Sequence, residues 1–209
     1  AADLRLLARR LVLSGRSLPI DASAEGLRLR VHVADNVSER KFLFMPQFVD
    51  TTERAYLEGH LTPDGVFLDI GANAGIYTLT AARAYARLGG RGYALAVEAN
   101  PTMQERLRYN VALNGLDAHA RLAPLALSNR DGEVAFSLSN SNLGESGLLA
   151  AGGETIKVPC LTLASLLFLA ASLAAVGYLR HQPEARDGDG KRLPEPVFKP
   201  CDISSVMVD

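Results

Sequence analysis

The hydrophobic and polar positions alternate between two periods along this chain. Residues 27–33, LRLRVHV, alternate apolar and polar and predict a half-exposed strand, with Gly26 and Asp35-Asn36 as turns at its two ends. Residues 51–60 predict a helix capped by Thr51 or Thr52, and Leu61-Thr62-Pro63-Asp64-Gly65 breaks it. Val66–Ile70 is a short apolar run of the kind expected for a buried parallel strand. Residues 76–88 carry Ile76, Leu79 and Ala82–Ala86 on one helical side and stop at Gly89-Gly90. Tyr93–Val97 is a second apolar strand. Asn100 then caps a helix with Pro101 in its first turn, and Met103, Leu107 and Val111 recur along one face until Asn114-Gly115. Further strands are predicted at 121–127, Val134–Leu138 and Ile156–Leu163. Strands alternating with helices at this spacing predict an α/β fold with a mostly parallel sheet.

The N-terminal residues AADLRLLARRLVLSG place charges among apolar positions and read as an amphipathic helix, not a secretory signal. The predicted organisation is an extension over residues 1–60 packed on a domain over 61–209. Residues 182–196 are polar and rich in Gly and Pro, as in an exposed loop. From Leu161 to Leu179 no residue is charged, a length that could span a bilayer. The strand-like IKVPC before it, its Thr and Ser, and the absence of a basic flank favour a buried strand plus helix. No stable membrane insertion is expected.

Composition narrows the function. Of 209 residues, 48% are hydrophobic and 22% charged, with a formal net charge of −1, so no basic excess points to nucleic acid. Cys160 and Cys201 have no C-x-x-C spacing, which leaves no disulfide framework and makes a reducing, cytoplasmic compartment the expectation. The four histidines lack metal-ligand spacing, and no metal is expected.

The chemistry lies in D-I-G-A-N-A-G. Gly71 allows a tight reversal at the strand end and leaves room for a ligand against the backbone, and Gly75 lets the next helix start close to the sheet. Amides at that helix start can hold an anion. Asp69 can accept from a ligand ammonium or order the loop. A dinucleotide site needs G-x-G-x-x-G, and the second glycine position is Asn73 here, which weighs against NAD. Glu98 ends the next strand, where a carboxylate can bind both ribose hydroxyls. The plainer readings are a turn that needed two glycines and a solvated charge at a strand end.

Read together, VFLDIGANAGIYTL, AVEANP, QERLRYNVALNGL, LAPLALSNRDGEVAF and IKVPCLTLASLL resemble the FkbM family of methyltransferases over residues 45–167. The resemblance implies a Rossmann-like class I methyltransferase fold, with a central mostly parallel sheet and a small N-terminal strand-helix extension. It implies S-adenosyl-L-methionine as cofactor and methyl transfer to an oxygen, commonly a hydroxyl of a sugar or natural product. The partner would be a small-molecule or glycan acceptor. Asp69, Gly71, Asn73 and Gly75 would line the methionine end of the cofactor, Glu98 would hold the ribose, and Ala99, Leu125 and Ala126 would flank the adenine.

Two departures stand out. Ala164 occupies a place where the family carries an acidic residue, and no strand like D-x-x-K-I-D-V-E-G follows Leu167. The next residues look like the late helix of the family. A parallel crossover takes a dozen or more residues, so a chain break is expected between Leu163 and Ala171, with another in 182–200. Continuous backbone there would instead favour a membrane span if one helix covers all of 161–179, or, if a strand, turn and helix follow each other, a noncatalytic module that keeps the fold for binding. No catalytic base is assigned; Asn142, Ser146 and His60 are candidates for lining the acceptor site.

Overall fold

The computed structural model describes residues 13–14, 18–139, 142–148 and 153–180. The amphipathic helix expected at 1–15 and the loop and chain break expected within 182–200 fall almost wholly outside these residues. Two compact units divide at Leu163, the first running to Leu163 and the second beginning at Ala164.

The first unit opens with an antiparallel hairpin of β1 (Ile20–Ala24) and β2 (Leu27–Val31). Helix α1 (Val37–Phe44) follows, a helix the hydrophobic pattern does not announce. Its signal is the cap: Asn36 accepts from the N–H of Glu39, the arrangement that favours Asn before a first turn carrying Glu. Helix α2 (Thr51–His60) has the expected range, but its N-cap is Asp50, in the left-handed region (φ 47°), and not Thr51 or Thr52.

β3 (Val66–Ile70), α3 (Ile76–Leu88), β4 (Tyr93–Val97), α4 (Pro101–Asn114) and β5 (Ala120–Ala123) then alternate. Their strands form a parallel three-stranded sheet in the order β3-β4-β5. β4 is buried throughout because it is paired on both sides. β3 is only half-buried, contrary to the buried strand predicted for it, because within this sheet it pairs with β4 alone; Ile70 at its end is exposed.

The expected strand over 121–127 is interrupted. Pro124 has no N–H to give to a ladder, and the chain resumes as β6 (Ala126–Leu127) in a different sheet. That sheet has the order β6-β8-β7, with β7 (Gly132–Ser137) antiparallel and β6 parallel to β8 (Thr155–Leu161). The described strands therefore form two small sheets, one parallel and one mixed, and a hairpin, where a single central sheet was expected. Leu27, Leu29, Val31, Phe42, Leu79, Ala96 and Leu107 join in one core that binds the hairpin and α1 to α3, β4 and α4.

β8 does not reach Leu163. It ends at Leu161, and after Thr162 the helix α5 (Leu163–Arg180) begins. The backbone N–H of Thr162 is held by the Asp131 carboxylate at 2.6 Å. The helix is unbroken from Leu163 past Ala171, so the expected break is not there. The long crossover becomes unnecessary because the element after β8 is a helix and not a parallel strand. Among the described residues no helix is long and apolar enough to cross a membrane.

Candidate functional site

The site forms where β3 and β4 end. Gly71 turns the chain in the left-handed region (φ 78°), and its N–H and that of Ala72 both donate to Val97 O, at 2.9 and 3.1 Å. Val97 is the last residue of β4, so the turn is drawn across the end of the neighbouring strand. A Cβ on Gly71 would meet no atom within 4 Å, which leaves open space against its backbone. Asn73 is also left-handed (φ 53°), a conformation that Asn tolerates better than most residues.

Glu98 is the centre of the arrangement. Its Oε2 accepts from the backbone N–H of Asn73 at 2.7 Å, and its Oε1 from the backbone N–H of Asn100 at 2.8 Å. The side chain is buried, at 7% exposure, so Glu98 is not a solvated charge at a strand end. Burial pushes its carboxyl above the ordinary value, against the opposing pull of the backbone N–H groups of Asn100, Asn73 and Ala99.

A cavity of about 230 Å³ opens beside this carboxylate. Gly71, Asn73, Glu98, Ala99, Leu125 and Ala126 line it, six of the eight residues expected at a cofactor site. Asp69 and Gly75 do not. Asp69 instead accepts from the Thr78 hydroxyl at 2.5 Å and from the Thr78 backbone N–H, tying the end of β3 to the first turn of α3. Burial raises its carboxyl, and the Thr78 bonds oppose that. These bonds are those of a residue that orders the loop. Gly75 is a packing residue: its φ is 95°, and a Cβ there would sit 2.1 Å from Leu107 Cδ1. Its own N–H is taken by Ala72 O at 2.9 Å.

The opposite wall was only partly foreseen. Met103, Phe136, Leu143, Gly144, Ser146 and Leu148 also line the cavity. The turn Leu143–Glu145 is capped by Asn142, whose Oδ1 accepts from Gly144 N at 3.3 Å. Ser146 faces the cavity and its hydroxyl accepts from Asn100 Nδ2 at 3.3 Å and from the N–H of Ser139 at 3.0 Å. Asn142 and Ser146 thus both belong to this wall, Ser146 lining the cavity and Asn142 holding the turn. His60 is not part of it; it stacks on Tyr56 at the end of α2, with ring centroids 3.9 Å apart. Phe136 and Met103 were legible only as core residues, since nothing in their spacing distinguishes a cavity wall from a packed interior.

A glycine turn leading from a parallel strand into a helix, with an acidic residue ending the next strand, is an α/β arrangement of the kind in which ligands bind beyond the strand ends. Residues 69–179 match the methyltransferase FkbM domain, and the chain belongs to that family. No curated protein matches it. Among solved structures, it is similar to P. horikoshii TYW2 in complex with MeSAdo, at 20% identity and a TM-score of 0.44 over 62% of this chain and 48% of that one. It is also similar to the Pyrococcus horikoshii protein PH0793, assigned as a transferase, at 22% identity and a TM-score of 0.39, over 51% and 36% of the two chains. The chain thus spans less than half the length of each.

Proposed function

We propose that this domain binds S-adenosyl-L-methionine in the cavity beside Glu98 and serves methyl transfer to a hydroxyl of a small-molecule or glycan acceptor. The parallel β3-β4-β5 unit, with its loop into α3, is then the cofactor-binding half of a Rossmann-like class I methyltransferase. The observation that carries the reading is the Glu98 carboxylate, fixed by backbone N–H groups beside a cavity that it lines together with mostly apolar residues.

The residues fit the group. The backbone N–H groups of Asn73, Asn100 and Ala99 use three of the roughly four acceptor positions of the Glu98 carboxylate and leave about one to receive a ribose hydroxyl. The open space at Gly71 admits a ligand against the backbone. Ala99, Leu125, Ala126 and Phe136 offer an apolar surface for an adenine ring. When bound, the cofactor supplies a methyl group on a sulfonium, already attached to a good leaving group. The chain's task is then alignment of donor and acceptor.

One feature favours a second reading, a binding module without methyl transfer. Glu98 is the sole ionisable side chain among the described residues that line the cavity, and it is engaged by two backbone amides. No other group there could take a proton from an acceptor hydroxyl. Titration calorimetry with S-adenosylhomocysteine and with NAD tests the cofactor class: binding of the first alone supports the proposal, and tight NAD binding overturns it. Transfer of labelled methyl to a broad panel of hydroxyl acceptors separates the two readings. Cofactor binding with no transfer to any acceptor would select the second.

A further inference from the structure

We infer that Asn36, in the N-terminal extension, is a positioning residue for the cofactor site, acting through Asn73 on Glu98. The inference rests on the cofactor reading above, and Asn36 itself lies outside residues 69–179, which carry the family match.

The Asn36 carboxamide is completely buried and fully used. Its Oδ1 caps α1 by accepting from Glu39 N at 3.1 Å. Its Nδ2 donates to Asn73 Oδ1 at 2.7 Å and lies 3.3 Å from Met103 Sδ. Capping needs only the oxygen, so the second half of the carboxamide is committed to the glycine turn. Asn73 is the residue whose left-handed backbone aims its N–H at Glu98, and a side-chain tether at Oδ1 holds that conformation against the extended alternatives.

The same turn of chain holds the other wall. The N–H of Val37 donates to Asn142 Oδ1 at 3.2 Å, and Asp35 O accepts from Leu143 N at 2.8 Å. Asn100 closes the circuit, giving its N–H to Glu98 and its Nδ2 to Leu143 O and Ser146 Oγ at 3.4 and 3.3 Å. The cavity is thus bounded by a ring of hydrogen bonds running from Asn36 through Asn73, Glu98, Asn100 and the 142–146 turn back to Val37. Asn36 is the member whose own side chain links the extension to Asn73 in this ring.

Asn36→Ser tests this, because Ser caps a helix as well as Asn does but is too short to reach Asn73. We expect S-adenosylhomocysteine affinity, by calorimetry, to fall about tenfold, and hydrogen exchange at the Asn73 amide to quicken with or without ligand. Asn114→Ala is the structural control: Asn114 holds Arg28 N and Arg28 O, at 2.9 and 2.7 Å, away from the cavity. It should lower Tm at least as much while leaving affinity within about twofold. In an Asn73→Gly background, where the left-handed conformation needs no tether, Asn36→Ser should cost almost no further affinity. An equal loss in both backgrounds, or affinity that merely tracks Tm across all variants, would overturn the inference. A wild-type chain that binds no S-adenosylhomocysteine overturns the cofactor reading itself, and that appears before any variant is made.

Discussion

The backbone N–H of Asn73 donates to Glu98 Oε2 at 2.7 Å, so the residue proposed to receive a ribose also fastens the glycine turn to the end of β4. Glu98 is therefore a structural group as well as a candidate ligand. Its two oxygens tie together the starts of two helices that follow adjacent strands.

Glu98→Ala follows from this. Removing the carboxylate leaves the buried amide of Asn100 and the part-buried amide of Asn73 without their acceptor, at a cost of up to about 1–3 kcal/mol for the buried one. A solvated strand end would give no such loss. We expect Tm without ligand to fall by several degrees and S-adenosylhomocysteine affinity to fall more than tenfold. An unchanged Tm in differential scanning calorimetry would show that water replaces the carboxylate freely.

Gly71 and Gly75 should respond differently to the same added methyl. Both have positive φ, so Ala at either position carries a strain of about 1–2 kcal/mol. At Gly71 the added Cβ meets nothing in the protein and enters the cavity. Gly71→Ala should stay folded with a small loss of Tm and lose cofactor affinity. At Gly75 the Cβ would lie 2.1 Å from Leu107 Cδ1, and Leu107 is buried in the main core. Gly75→Ala should lower Tm further, since the buried Leu107 side chain must repack within the core to admit it. Equal losses of Tm would contradict the assignment of distinct roles.

How far the sequence was legible depends on where its signals are local. Asn100 with Pro101, Gly115 and the face Met103–Leu107–Val111 are encoded within one helix, and α4 forms where they place it. The turn 71–75 was legible for the same reason, each positive φ falling on Gly or Asn. The family resemblance puts Asp69 and Gly75 at the ligand, whereas their side-chain direction and packing, which no local pattern carries, turn them toward Thr78 and Leu107. α1 went unread because its apolar positions show no stripe and its cap resembled a plain turn. The 142–148 wall depends on partners more than forty residues away, such as Asn100 and Val37, which no local pattern carries.

The helix α5 carries a surface that the long uncharged run makes understandable. Leu163, Leu167 and Phe168 are exposed, Phe168 to 76%. A side chain with so little burial contributes little to folding. Phe168→Glu should leave Tm within about a degree and reduce concentration-dependent association, measured by light scattering. A large fall in Tm would show that Phe168 is buried in solution.

The last prediction concerns Glu39, a completely buried carboxyl on α1. Its Oε2 accepts from the backbone N–H of His32 at 2.6 Å and from Arg106 Nη1 at 3.2 Å, and its Oε1 has no hydrogen-bond partner. Burial pushes its pKa up from 4.5 to about 7, against the opposing attraction of Arg106 and the His32 N–H. The groups facing it are His32, lowered chiefly by burial, Asp35, which Arg106 holds down despite burial, and Arg106 itself, held up by Asp35 and Glu39 despite burial. The folded chain retains a proton on Glu39 that the unfolded chain releases above 4.5. Its contribution to stability is therefore fully present below pH 4.5 and is lost as pH rises through about 7. Glu39→Gln removes this titration and leaves the other three groups in place. The difference in Tm, wild type minus Glu39→Gln, should then shrink steadily as pH rises from 4.5 to 7 in thermal unfolding. A difference that stays constant across that window would mean Glu39 is ionised throughout, with Arg106 compensating its burial in full.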